Sequence, residues 1–401
     1  MIRLKDTKHQ NTAAFLGSAI RIAEYYGFSP LEEAQRKDAA EMRLLRSRAS
    51  KNETEISYAR REERPLALAA KRTATLARIP GETLLLWRTV GQEKGGEEVA
   101  LELHVIGNGS AIAEALLIVT ANAIAHDAGL GERVLAINNI GSFESSNRFV
   151  RDVGTYLRKH IDTISPTLRP RAAVDPLGTL VQLIERGHPA TPRAPQAMEY
   201  LTEDERQRFW DLLEYLEVFG LPYELSPHVL GSRDCWAHAL YQISVLDAET
   251  NTRVPIAFGG RYDPLAARYA AAPTSAATIS ISCEIRGKVR SKREVPGIPS
   301  IYFAHLGSEA RRRALSVLET LRQAGIPVYQ GLYHERIGEQ MLAAQKVATP
   351  YVLIMGHKEA VEGTILVREV ATNSQEAIAL PELVNHLKRH RVGGWKMETH
   401  A

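Results

Sequence analysis

The stretch FGGRYDPLAARYA, residues 258–270, ends a strand-like segment and begins a helical one, and it indicates how the larger part of the chain folds. Gly259 and Gly260 can serve the backbone at a turn, and Asp263 is placed to cap the helix that follows. In a second interpretation, Arg261, Tyr262 and Asp263 line a substrate pocket. Taken by itself, the loop favours the first interpretation.

The segments around this loop predict a mostly antiparallel sheet with helices to one side. Helical spacing marks residues 11–28, 109–129, 144–161 and 203–219, and the first two segments stop at a glycine. Residues 165–195 are rich in proline and arginine, and we expect them to be irregular. The predicted strands are TLLLWRTV (83–90), VALELHVIG (99–107), VLAINNIG (134–141), HALYQISVL (238–246) and VPIAFGG (254–260).

A change in composition after residue 284 marks a domain boundary. EIRGKVRSKREVPGIPS (284–300) has five Lys or Arg residues followed by two prolines, which is typical of an exposed linker. Beyond it, strands alternate with helices, which predicts a small α/β domain with a largely parallel sheet. The predicted organisation is therefore a core domain at 1–284, a basic linker at 285–300 and an α/β domain at 301–401.

Composition excludes several classes of protein. The chain has 401 residues, 44% of them hydrophobic and 24% charged, which is typical of a folded protein with two or three domains. A net charge of +3 says little about partners, and two cysteines cannot form a disulfide framework. No apolar run approaches the ~20 residues of a membrane span, and the amino terminus lacks a signal-peptide core. We expect a cytoplasmic protein.

Five segments resemble, in order, segments of the histidyl-tRNA synthetase family, which belongs to the class II synthetases. FGGRYDPL is similar to the family's GGRYDGL, INNIGSFESSNRFVRDVGTYL to its NSLGD segment and following helix, and DPLGTL to its NPLRILD element. LRQAGIPV and EQMLAAQKVATPYVLIMGHKEAVEGTILVREV resemble its anticodon-binding domain. The resemblance spans about residues 10–390. It implies an α+β fold, a class II antiparallel sheet with flanking helices followed by a smaller α/β anticodon-binding-type domain, in a homodimer.

The positions that contact the amino acid in that family carry different residues here. LALAAKRT (66–73) resembles the family's LALRPEGT, which puts Lys71 where a glutamate binds the amino group and keeps Thr73. VALELHVIG resembles FHQFGVEVIG, which puts Ala100 and His104 at the family's Gln and Glu. Because one ammonium group repels another, Lys71 opposes the binding of histidine.

The family's second histidine signature, LVRGLDYYTRTVFE, is also changed. Here it reads VLGSRDCWAHALYQ (229–242), which puts Gly231 at the position of the arginine, keeps Asp234, and puts Cys235 and Trp236 at Tyr-Tyr. Arg233 lies two positions from Gly231 and would share a strand face with it, so it could replace the missing arginine.

The cations that hold ATP in the family are only partly matched. Arg88 corresponds to the first, and Arg286 comes one residue after the position of the second, a shift of ~100° on a helix. An active site would therefore depend on Arg88, Arg233 or Arg286, with ATP and Mg²⁺ as cofactors; otherwise no cofactor is expected. His104 and His238 lack partners for a metal site, and none is predicted.

Two groups of residues are candidates for functional sites. The remnant of a substrate pocket comprises Lys71, Thr73, Ala100, His104, Gly231, Asp234, Trp236, Gly259, Gly260, Arg261, Tyr262 and Asp263. The residues that could bind RNA phosphates, or merely keep a linker solvated, are Arg286, Lys288, Arg290, Lys292 and Arg293.

The resemblance and the departures from it imply a scaffold retained without its chemistry. We expect a homodimer that binds tRNA or another RNA, or a protein partner, as an adaptor or regulator. One alternative is an active, divergent histidine-tRNA ligase, and another is a ligase for a different small acid attracted by Lys71. A third is the regulatory subunit of ATP phosphoribosyltransferase in histidine biosynthesis, against which the anticodon-binding-type domain argues.

Overall fold

The computed structural model describes residues 1–31, 83–91, 97–232, 234–247, 250–269, 274–289 and 299–390. An eight-stranded sheet organises the amino-terminal unit, in the order β1-β2-β3-β8-β7-β6-β4-β5. All neighbours are antiparallel except β1 with β2 and β4 with β5. The strands are β1 (Ser29–Pro30), β2 (Leu84–Gly91), β3 (Glu98–Ile106), β4 (Arg133–Asn139), β5 (Tyr223–Leu225), β6 (Ala237–Leu246), β7 (Arg253–Arg261) and β8 (Ala276–Glu284).

Helices cover one face of this sheet with an apolar core. Leu101, Leu103 and Val105 of β3 are buried there, and residues of the helices α1, α2 and α6 join the same cluster. The helices of this unit are α1 (Thr12–Tyr25), α2 (Ile112–Asp127), α3 (Phe143–Lys159), α4 (Arg169–Val174), α5 (Pro176–Glu185), α6 (Glu203–Phe219) and α7 (Asp263–Tyr269). The predicted helix ends are confirmed, since Gly27 and Gly129 follow α1 and α2 with φ of +88° and +83°.

The prediction that helices lie on one side only is wrong. Side chains of α3, α4 and α5 form a second cluster with Leu86, Ala136 and Leu240, which point to the other face. The prediction that 165–195 is irregular is wrong for α4 and α5. Both helices have proline in the first turn, where the missing N–H is not needed, and Asp175 caps α5 through the amide of Gly178.

The carboxyl-terminal unit is a five-stranded sheet in the order β10-β9-β11-β12-β13. The first three strands are parallel, as predicted, whereas β12 and β13 are antiparallel additions. A short hairpin with Asn373 at φ +57° joins β12 to β13. The elements are β9 (Ile301–His305), β10 (Tyr329–Gln330), β11 (Tyr351–Met355), β12 (Thr364–Glu369), β13 (Gln375–Ala379), α8 (Ser308–Gln323), α9 (Ile337–Lys346), α10 (His357–Glu362) and α11 (Leu380–Arg389). The α+β class with a smaller second unit is confirmed.

Helix α8 joins the two units. Its buried residues belong to the same apolar cluster as those of α1, α2 and α6. The hydroxyl of Tyr25 donates to the carbonyl oxygens of Leu318 and Ile326, each at 3.1 Å. The hydroxyl of Tyr26 donates to Glu319 Oε2 at 2.6 Å. The boundaries proposed for the linker remain a prediction, and its residues 290–298 lie outside the described part of the chain.

Candidate functional site

The face of the sheet opposite α1 and α2 carries a row of polar side chains. Successive residues of a strand point to opposite faces, so Ala100, Glu102 and His104 share the face that Leu101, Leu103 and Val105 do not. Arg88 of β2 lies directly opposite Glu102, and Ser280 of β8 lies opposite it on the other side. We call this surface the polar face, defined by Arg88, Ala100, Glu102, His104, Thr278, Ser280 and Tyr262.

Arg88 and Glu102 form a buried ion pair at the centre of the polar face. Glu102 Oε2 accepts a hydrogen bond from Arg88 Nε at 2.7 Å, and Arg88 Nη2 forms an ion pair with the same oxygen at 2.6 Å. The residues are only 9% and 7% exposed. Burial acts to raise the pKa of Glu102, but the pKa is lowered because His104 and the Arg88 guanidinium stabilise the carboxylate. Glu102 is therefore an anion that neutralises the cation beside it.

His104 extends this pair toward the loop of β7. Its Nδ1 lies 3.1 Å from the Tyr262 hydroxyl, and its Nε2 lies 3.4 Å from Glu102 Oε2. Burial lowers the pKa of His104, against the opposing effect of Glu102, so the ring is neutral at pH 7. We assign the ring proton to Nε2, facing the carboxylate, because Nδ1 then accepts a hydrogen bond from Tyr262.

The two glycines of the FGGRYD segment lie inside β7, where the neighbouring strands approach closely. A Cβ on Gly259 would lie 2.2 Å from the carbonyl oxygen of Thr278, and one on Gly260 would lie 2.8 Å from that of Ala239. Neither glycine has a positive φ. The glycines therefore provide space between strands rather than an unusual turn.

Arg261 lies on the opposite, helix-covered face. It is fully buried, its Nε is 3.0 Å from Glu114 Oε1, and its Nη2 donates to the Asn108 carbonyl oxygen at 2.7 Å. Arg208 Nη2 donates to both oxygens of the same Glu114. The structure therefore does not bring Arg261 together with Tyr262 on the polar face, because adjacent residues of a strand face opposite ways.

Asp263 and Tyr262 have separate roles in the loop. Asp263 begins α7, and its Oδ1 accepts a hydrogen bond from the amide of Ala276 at 2.6 Å, which ties the loop to the start of β8. Tyr262 is fully buried and reaches the polar face through His104. Of the residues predicted at this loop, Tyr262 alone has its side chain in contact with that histidine in the described part of the chain.

The segment VLGSRDCWAHALYQ lies beside the loop. The Trp236 ring packs edge-on against Phe258 at 5.4 Å and leaves no room for a Cβ on Gly231, which would lie 2.4 Å from Trp236 Cδ1. Cys235 is buried, and Asp234 is exposed. The structure thus brings Gly231, Trp236 and Gly260 together and leaves Asp234 at the surface.

Arg286 follows a strand rather than starting a helix. Strand β8 ends at Glu284, and the backbone of Arg286 is bonded to Thr12 at the start of α1. Arg286 and Lys288 have exposed side chains. The other predicted residues of these groups, Lys71, Thr73, Arg233, Arg290, Lys292 and Arg293, lie outside the described residues.

Sequence reasoning missed Glu102 and Glu114. Both were visible as single acidic residues in otherwise apolar segments, VALELHVIG and AIAEALLIV, and a buried acid requires a partner. Within the described ranges no three His, Cys, Asp or Glu side chains are grouped to hold a metal ion. None of the described helices combines the length and apolar character that a bilayer crossing requires.

Comparison with known proteins shows similarity in both units. Residues 301–390 match the anticodon binding domain family. The histidine–tRNA ligase 1 of Shouchella clausii is 26% identical over 301 residues, covering 74% of this chain and 70% of that enzyme. The histidine–tRNA ligase of Caldicellulosiruptor saccharolyticus is 26% identical over 286 residues, covering 70% and 68%.

A solved histidyl-tRNA synthetase from Nostoc sp. PCC 7120 aligns over 96% of this chain and 98% of its own, with 17% identity and a TM-score of 0.41. The chain is a relative of the histidyl-tRNA synthetases that carries an anticodon-binding domain at residues 301–390.

Proposed function

We propose that this chain is a cytoplasmic, homodimeric histidyl-tRNA synthetase-like protein that binds tRNA or another RNA without activating histidine by the family's route. The observation that carries the proposal is the match of residues 301–390 to the anticodon binding domain family, in a chain whose buried Arg88 on the polar face is already paired with Glu102. A domain of an RNA-binding type is present, while the cation of the polar face has its own counter-ion.

The described part of the polar face does not fit ATP. Binding of a triphosphate needs cations that can face its phosphates, yet Arg88 is bound to Glu102 Oε2 by a hydrogen bond from Nε and an ion pair through Nη2. His104 is neutral at pH 7 and supplies no positive charge, and Arg286 lies at the surface after β8. We therefore derive no adenylate step from these residues.

Exposed basic residues near the start of the linker support the RNA part of the proposal. Arg286 and Lys288 are solvent-exposed just before the anticodon-binding domain. Lysine and arginine side chains at such a position bind phosphates through charge, and the affinity falls as salt rises. These contacts would position an RNA without reading its sequence.

A divergent ligase is the second candidate, because the relatives with 26% identity are named histidine–tRNA ligases and the matches cover 74% and 70% of this chain. ATP–pyrophosphate exchange across the amino acids separates the two candidates. We expect no exchange above background with histidine. Turnover with histidine would establish the ligase, and turnover with another amino acid would indicate the ligase for a different acid.

RNA binding is tested by an electrophoretic shift of total tRNA at two salt concentrations. We expect a shift at low salt that weakens as salt rises, and a double variant Arg286→Ala/Lys288→Ala that lowers the slope of log affinity against log salt by roughly 1 to 2. The matched control is Arg158→Ala/Lys159→Ala, two exposed basic residues on α3. If wild-type protein gives no shift at low salt, a protein partner becomes the better explanation.

A further inference from the structure

We propose that His386 and His390, at the carboxyl end of α11, together bind one divalent transition-metal ion of the Cu²⁺, Ni²⁺ and Zn²⁺ group, with water as its other ligands. The inference goes beyond the proposed function and does not rest on RNA binding or on the polar face. It concerns a pair of side chains, so it agrees with the finding that no three His, Cys, Asp or Glu among the described residues are grouped to hold a metal.

The two histidines lie one helical turn apart on the same side of α11. The amide of His390 donates to the carbonyl oxygen of His386 at 3.1 Å, so a backbone hydrogen bond between these two residues fixes the turn that separates them. Side chains at positions i and i+4 of a helix are neighbours. Their ring centroids are 4.5 Å apart, with 31° between the ring planes. The two imidazoles are therefore adjacent to each other.

This separation suits two nitrogens bound to one ion. An imidazole nitrogen lies about 2.0–2.1 Å from a bound Zn²⁺, so two nitrogens on adjacent sides of one ion are about 3 Å apart. Each ring can rotate about its Cβ–Cγ bond, a torsion with broad minima, and so aim one nitrogen at a common point. The nitrogens are then closer together than the ring centroids, and no movement of the backbone is required.

The charges around the pair permit a cation. A metal ion binds the neutral imidazole and competes with protons for it. Burial, followed by the charge of His390, lowers the pKa of His386; Arg389 acts in the same direction, and Glu376 on β13 opposes them, so the ring is neutral at pH 7. The carboxylate of Glu376 acts in favour of a bound cation, and Arg389 acts against it. The partial negative charge at the carboxyl end of a helix adds to the favourable side.

The opposite side of α11 holds the helix in place. Leu383 and Leu387 are buried in the core of the domain, whereas His386 is half-buried and His390 is exposed. Solvent can therefore deliver the ion and its water ligands. Because imidazole suits Cu²⁺, Ni²⁺ and Zn²⁺, and affinity for a nitrogen site is greatest for Cu²⁺ in this group, we expect Cu²⁺ to bind most tightly.

The test is calorimetric titration of the untagged, full-length chain with CuCl₂, NiCl₂ and ZnCl₂, together with electron spin echo spectroscopy of the Cu²⁺ form, which counts bound imidazoles. We expect the tightest site of wild type to bind each ion about tenfold or more tightly than His386→Ala or His390→Ala does, because the helix presents the second imidazole at a high effective concentration. The Cu²⁺ spectrum should show at least two imidazoles in wild type and one fewer in each variant.

The matched control is Asn385→His/His390→Ala, which keeps the number of histidines but places two of them at consecutive positions, whose side chains do not face each other. Asn385 is exposed, and so is His357, a histidine on another helix of the same domain. The double variant should bind metal like His390→Ala, and His357→Ala should bind it like wild type. If His386→Ala does not fold, His390→Ala decides, because its side chain is exposed.

Two results would overturn the inference. One is a wild-type affinity equal to that of His390→Ala or of Asn385→His/His390→Ala. The other is a Cu²⁺ spectrum whose number of imidazoles is the same in wild type and in His390→Ala. The electrophoretic shift with tRNA is measured in a metal chelator, so neither result bears on the RNA proposal, and loss of the tRNA shift leaves the metal result intact.

Discussion

Gly259 and Gly260 show how a recognisable loop can be fixed by packing alone. The ideal Cβ position of Gly259 is 2.2 Å from the Thr278 carbonyl oxygen and 2.6 Å from Tyr241 Cε2. The carbonyl belongs to the neighbouring strand β8 and cannot move without breaking the ladder that pairs Gly259 with Ile279. The demand for glycine at this position is therefore steric, and it exists whether or not a ligand binds nearby.

We predict that Gly259→Ala lowers the free energy of unfolding by about 3 kcal/mol, because the added methyl group must push two strands apart. Urea denaturation followed by circular dichroism measures this change. Gly91→Ala is the control, since a Cβ at Gly91 of the same sheet meets none of the described residues within 4 Å. Similar losses in the two variants would contradict the steric explanation.

The ion pairs of Arg261 and Glu102 lie on opposite faces of the sheet. Arg261 binds Glu114 on the helix-covered face, and Arg88 binds Glu102 on the polar face. The pocket role inferred for Arg261 rested on its position in the motif, whereas the alternation of β7 separates it from Tyr262. Side chains alternate between the two faces along a strand, so neighbouring residues of the motif cannot share a site on one face.

At the scale of elements, Glu205 connects the starts of two helices. Its Oε1 accepts from the Ser142 amide at 2.6 Å, and its Oε2 accepts from the Ser145 hydroxyl at 2.7 Å and from the Thr202 amide at 2.8 Å. Ser142 and Thr202 are the N-caps of α3 and α6. Burial acts to raise the pKa of Glu205, but these hydrogen bonds outweigh it and lower the pKa to about 2.

We predict that Glu205→Ala lowers the free energy of unfolding by about 3 kcal/mol at pH 7, because three hydrogen bonds to the carboxylate are lost. The native pKa is below the ordinary 4.5, so the stabilisation is fully present above pH 4.5 and is lost as the pH falls toward 2. Denaturation of wild type and variant at several pH values measures the shrinking difference.

Glu203→Ala is the control for Glu205→Ala. Glu203 is exposed in the first turn of the same helix, so its removal should cost less than about 1 kcal/mol. A difference between wild type and Glu205→Ala that does not shrink between pH 4.5 and 2 would refute the role of the carboxylate charge.

Local sequence patterns predict most helices and strands but not what each of them packs against. The ends of α1 and α2 could be predicted because a glycine after each helix takes a positive φ. The helices α4 and α5 could not, since a segment rich in proline predicts irregular structure, whereas Pro170 and Pro176 occupy first turns that tolerate proline. Which sheet face each helix covers, and the pairing of β12 with β13, depend on contacts distant in sequence.

The candidate site was predicted less completely than the fold for a similar reason. Motif positions identified His104 and Tyr262, which are in contact, and Arg88, whose partner they did not identify. The partner Glu102 differs from its neighbours only by being acidic in an apolar strand. Its importance appears once the register places it opposite Arg88.

At the scale of the whole molecule, the two units share one core. Phe303, Leu315 and Leu318 of the carboxyl-terminal unit are buried in the same cluster as Phe15 and Leu16 of α1. Polar contacts accompany this packing, since Gln330 Nε2 donates to the Tyr26 carbonyl oxygen at 2.8 Å. A shared core implies that the anticodon-binding domain and the sheet-containing unit unfold together.

We predict that Tyr26→Phe lowers the free energy of unfolding by about 2 kcal/mol, because the hydroxyl donates to a charged partner, Glu319, at 2.6 Å. The amides of α1 and α8 should lose protection together in hydrogen exchange, and denaturant unfolding should stay a single transition at a lower midpoint.

The control is Tyr302→Phe, whose buried hydroxyl has no hydrogen-bond partner in the described part of the chain. It should not reduce stability, because no hydrogen bond is lost. Loss of protection in α8 alone, or two separate transitions, would show that the two units unfold independently and that the packing between them is too weak to couple them.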